Sequence, residues 1–94
     1  MEQLTKQEKI NALCQLLAQI QNPADCAALL EDMCTRKEVE NMAERLYAAS
    51  LLMAGNTYNQ VMSLADISSA TLSRVSRCVQ YGKGYSKLIK RNEE

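Results

Sequence analysis

Five helix-start signals punctuate the chain, and between them apolar residues recur at steps of three and four. Thr5-x-x-Glu8, Thr35-x-x-Glu38 and Thr57-x-x-Gln60 are capping boxes. In each, the Thr hydroxyl accepts from a free amide while the longer side chain reaches back. Asn22-Pro23 sets an N-cap before a proline at the first helical position, and Ser68 is a fifth cap. The first three stripes are Ile10, Leu13, Cys14, Leu17, Ile20; Ala27, Leu29, Leu30, Met33; and Val39, Met42, Ala43, Leu46, Ser50, Met53. Gly55 ends the third as a left-handed cap. A helix of about two turns follows, with Val61 and Leu64 facing inward, then another carrying Ala70, Thr71, Leu72, Val75 and Val79. Tyr81-Gly82-Lys83-Gly84 breaks the pattern, 85–91 can add a last helix, and the final residues are expected to be mobile. No stretch alternates as a strand does. The expected fold is all-α, a single domain of five to six helices.

So short a chain buries little of its surface. At 94 residues it hides about 60–65% of what its unfolded form exposes. Yet 47% of its residues are hydrophobic, and a partner chain is the simplest cover for the excess. The absence of His removes Ser–His and Cys–His nucleophile pairs and Cys₂His₂ zinc sites. Cys14, Cys26, Cys34 and Cys78 form no C-x-x-C pair, which argues against a thiolate metal site or a thioredoxin-like motif. No metal or cofactor is expected. A catalytic Cys26 or Cys34 would lack a His base, so an enzyme is not expected either. The first 20 residues hold Glu2, Lys6, Glu8 and Lys9 and no unbroken apolar core, unlike a signal peptide. No apolar run approaches the ~20 residues of a membrane span. Unpatterned thiols then point to a reduced, cytoplasmic setting. Four Tyr are the only aromatic residues, too few for a base-stacking RNA or single-strand binder.

Charge is balanced overall but not along the chain. Residues 1–56 carry five cations against eight anions, and residues 57–91 carry six against Asp66 alone. A basic C-terminal third on an acidic remainder points to a polyanionic partner for that third.

That third holds the most informative stretch. Residues 57–75 read as a helix-turn-helix, two short helices crossing around a tight turn. Val61, Leu64, Ile67, Leu72 and Val75 would fill the wedge, Ala65 opens the turn, and Ser68 caps the second helix. Ser69, Ala70, Thr71 and Ser73 keep its outer face small, as entry into a major groove requires.

From Cys34 to Val79 the chain resembles the Trp repressor family. The wording from Asp32-Met33-Cys34-Thr35-Arg36 through Arg74-Val75-Ser76-Arg77-Cys78 to Tyr81-Gly82-Lys83-Gly84-Tyr85 is most similar to its short Trp-repressor-like branch. The resemblance implies an intertwined homodimer with dimerisation helices over 5–54, a helix-turn-helix over 57–80 and a basic tail over 81–94. It implies double-stranded DNA, at a pseudo-palindromic operator, as the partner. Ser68, Ser69, Ala70 and Ser73 match the start of the reading helix, and Asn59 and Met62 match DNA-facing positions of the helix before it. Arg77, Lys83, Lys87 and Lys90 are suited to phosphates. Thr35, Arg45, Thr71 and Arg74 match positions that line a tryptophan pocket, where two guanidiniums can sandwich an indole. Val75 and Cys78 stand where the tryptophan-binding member has Gly and Ser, and Asn59 and Met62 replace basic residues. Tryptophan is therefore not the expected effector.

Two functions follow from the sequence. One is a dimeric, sequence-specific DNA-binding repressor. The other is a helical protein-interaction module that uses the helix-turn-helix as scaffold, favoured by its neutral total charge and by Met33, Met42, Met53 and Met62.

Overall fold

The computed structural model describes residues 3–93, with side chains through Ile89. Six helices account for the regular structure among the described residues: α1 Lys6–Gln19, α2 Pro23–Met33, α3 Arg36–Met53, α4 Tyr58–Leu64, α5 Ser69–Tyr81 and α6 Gly84–Glu93. The sixth is a full ten-residue helix. α6 runs through Glu93, so of the last residues, expected to be mobile, only Glu94 lies outside those described.

Local chemistry accounts for the starts. Thr5 Oγ1 accepts from the Glu8 amide at 3.1 Å while Glu8 Oε1 accepts from the Thr5 amide at 2.8 Å. Those hydrogen bonds hold the Glu8 carboxyl below its ordinary pKa. Thr57 and Gln60 repeat the box at α4. Asn22 caps α2 through the Asp25 amide at 2.8 Å, with Pro23 at the first helical position. α3 ends at Gly55, whose φ of 98° is the left-handed cap the sequence foretold.

The fold has two units, 1–35 and 36–94. In the first, α1 and α2 have no buried residue, and Ile10, Leu13, Leu16 and Leu17 are all exposed. In the second, α3 packs against α4, α5 and α6, and α5 against α4 and α6. Ala48, Ala49, Val61, Ala65, Leu72, Val75 and Ile89 form its core, with Ile67, Val79 and Tyr85 packed against it.

One inward assignment is corrected, and one stripe turns out to be partly exposed. Leu64 is 56% exposed, because the buried line of α4 runs through Val61 and Ala65, four residues apart, and Leu64 leans off it. In α3, Leu46 is 52% exposed, and the buried residues are Ala48 and Ala49. Small side chains there let the crossing helices approach closely, which an apolar stripe of larger residues would prevent.

Candidate nucleic-acid interface

The helix-turn-helix is built as the capping chemistry demands. α4 closes at Ala65, whose amide donates to the Val61 carbonyl at 2.8 Å. Three residues on, Ser68 Oγ accepts from the Thr71 amide at 3.2 Å and starts α5. The turn is also tied to α3: the Asp66 amide donates to Glu44 Oε1 at 3.0 Å.

α5 has two faces, in phase. Leu72, Val75, Ser76 and Val79 face the core side, the first three buried and Val79 half-buried. Ala70, Ser73, Arg74 and Arg77 each lie two positions earlier, about 200° around the helix, and are exposed. They line one side of an open groove of about 500 Å³, with Tyr58 from α4 and Gln80 and Tyr81 from the end of α5. No acidic residue lines it. Gln80 turns its amide back onto the Ser76 hydroxyl at 3.4 Å.

Two further clefts flank the motif. One, about 230 Å³, lies between α3 and the turn and is lined by Asn41, Glu44, Arg45, Asp66, Ile67, Ser68 and Thr71. The other, about 360 Å³, is lined by Arg45, Arg74, Val75, Cys78 and Tyr85. Val75 is 3% exposed and forms part of this cleft's wall while belonging to the core. Among the described residues, no three Cys, Asp or Glu side chains converge as a metal site would require.

A model of the Trp repressor protein family matches residues 8–93. The chain belongs to the Trp repressor family. It is 32% identical over 88 residues to the uncharacterized protein YerC of Bacillus subtilis (strain 168), covering 93% of this chain and 85% of that one. Its fold matches a crystal structure from Staphylococcus aureus described as a candidate Trp repressor, with TM-score 0.84, 27% identity and 96% of each chain covered. A TrpR-like protein from Eubacterium eligens ATCC 27750 matches with TM-score 0.86 and 28% identity, over 94% of this chain and 92% of that one.

Against the Trp repressor pattern, the structure sorts the residues read from sequence. Ala70, Ser73 and Arg77 share the groove, while Ser69 is exposed beside them at the first position of α5. Asn59, Met62, Lys83 and Lys87 are exposed but do not line it. Ser68 opens instead onto the cleft beside α3. The Lys90 side chain lies outside the described residues. Of the effector-pocket positions, Arg45 and Thr71 share one cleft, and Arg45, Arg74, Val75 and Cys78 share the other. Thr35 is the last residue of the first unit.

Sequence reasoning missed Tyr58, Gln80, Tyr81, Glu44 and Tyr85. The outward spacing 70, 73, 74, 77, continued by three and four, reaches 80 and 81 and would have found two of them. Nothing local marks Tyr58 or Glu44, which arrive from other helices.

Proposed function

We propose that this protein is a sequence-specific double-stranded DNA-binding transcription regulator. It acts as a homodimeric repressor in the cytoplasm and performs no enzymatic chemistry. The observation that carries this reading is the outer face of α5. Small residues occupy its first turns and guanidiniums its middle, with no acid among them. Ser69, Ala70 and Ser73 let the helix approach base edges closely, and Arg77, Lys83 and Lys87 position it on phosphates. Few long donors stand on that face, so water-mediated contacts and duplex shape carry much of the specificity.

Dimerisation is supported by α1 and α2, whose apolar stripe has no core of its own to enter. A groove of about 460 Å³ lined by Leu46, Cys78, Tyr85, Leu88 and Ile89 adds apolar surface in the second unit. The same groove is what favours the second reading, a protein-docking module. Salt separates the two, since a binder making several phosphate contacts loses affinity steeply as salt rises.

The experiment is selection of bound sequences from a random duplex pool by the purified protein, with and without cell metabolites. A pseudo-palindromic consensus with half-site centres about one helical turn apart is expected. No enrichment at low salt overturns the reading.

A further inference from the structure

Tyr58 and Tyr81 both line the open groove along α5, 46% and 80% exposed. Neither ring belongs to the core, and neither is needed to close a helix. Ser73, Arg74 and Arg77 line the same groove. Among the described residues, no hydrogen bond or ion pair engages any of these five side chains. Two guanidiniums and two phenols therefore line one concave surface with their donors free and no carboxylate to oppose an anion.

Spacing along the helix says which anion fits. A rise of 1.5 Å per residue puts Arg77 about 10 Å and Tyr81 about 16 Å beyond Ala70. The major groove of a duplex is about 12 Å wide. With Ala70 and Ser73 at the base edges, the second half of α5 reaches the phosphate wall of that groove. A phosphate there accepts from planar guanidinium and phenolic donors alike.

We propose that the groove lined by Tyr58 and Tyr81 seats a backbone phosphate of the DNA duplex, with both phenols donating to it beside Arg74 and Arg77. This rests on the DNA-binding reading and adds to it a pair of neutral phosphate contacts. Neutral donors have a distinctive signature. They strengthen binding to every sequence but displace no counterion, so they leave the salt dependence unchanged.

The test measures binding of the full chain to a selected duplex and to a random duplex over a potassium chloride series. Three proteins are compared: wild type, the double variant Tyr58→Phe/Tyr81→Phe, and Arg77→Ala. The Phe variants remove only two exposed hydroxyls, and circular dichroism should match wild type. The double variant should bind both duplexes about 10-fold more weakly with an unchanged salt slope. Arg77→Ala should weaken both and lower the slope by about two, one for each protomer. Scanning the duplex with neutral methylphosphonates placed in symmetry-related pairs, one in each half-site, should find one pair of positions at which wild type and double variant bind equally. Equal binding of the two on unmodified duplex overturns the proposal, as does a loss confined to the selected sequence. Wild type binding no duplex at any salt overturns the DNA-binding reading and this inference with it, an outcome distinct from failure of the groove alone.

Discussion

Glu44 Oε1 accepts the backbone amide of Asp66 at 3.0 Å across 22 positions of sequence. The bond ties the middle of α3 to the turn that aims α5.

Glu44→Ala removes that acceptor and leaves the turn amide to water. A loss of about 1 kcal/mol in urea unfolding is expected, with faster hydrogen exchange at Asp66. Glu44→Gln retains a side-chain oxygen and should behave like wild type in both. Equal exchange at Asp66 in wild type and Glu44→Ala would show that the bond does not hold the turn.

Deleting residues 1–21 removes α1, whose Ile10, Leu13, Leu16 and Leu17 are exposed and have no core of their own. Static light scattering should find the full chain dimeric and the truncated chain aggregated or unfolded. A folded, monodisperse truncated monomer counts against an interface made by the N-terminal helices.

Ser69→Glu and Ala70→Glu each place a carboxylate on the exposed start of α5. Both should abolish specific DNA binding, because the charge meets phosphates and acceptor-rich base edges. Stability should change by about 0.5 kcal/mol or less, as befits exposed sites. Thermal melts and anisotropy titrations read the two effects separately, and undiminished binding would mean that α5 is not the reader.

Free L-tryptophan should not bind. Val75 walls the cleft between Arg45 and Arg74, and its two methyls are held by a stiff χ1. Overpacking a tight ligand site costs about 1–3 kcal/mol, a factor of roughly 5 to 150 in affinity. Cys78, also on that cleft, offers a weaker hydrogen bond than the Ser it replaces. Calorimetry at millimolar tryptophan is expected to be flat, and saturable micromolar binding is the contrary result.

Gly82→Ala tests a different kind of glycine. Gly82 has an ordinary φ of −82°, but an added Cβ would lie 2.6 Å from the Cys78 carbonyl oxygen. That neighbour is backbone and cannot turn aside, so a loss of about 1–3 kcal/mol is expected. Gly55→Ala meets no atom within 4 Å but inherits a φ of +98°, and the expected cost is about 1 kcal/mol of backbone strain. Denaturant melts of the pair compare crowding with conformation.

Sequence alone determined what depends on neighbours three or four positions away. Thr5, Asn22, Thr57 and Ser68 cap helices because a short polar side chain reaches only its own first turn, whatever packs elsewhere. Gly55 ends α3 for the same local reason. The helix-turn-helix and the outward small face of α5 were legible on those terms. What tertiary structure decided was which of two apolar faces goes inside and which distant residues meet. Periodicity could not show that Ala48 and Ala49 are buried while Leu46 and Leu64 remain exposed, because that choice follows how closely the crossing helices approach. Nor could it set Tyr58 and Tyr81 on one groove or bring Glu44 to Asp66. Those meetings are made by the packing of α3, α4 and α5, and no spacing along the chain encodes them.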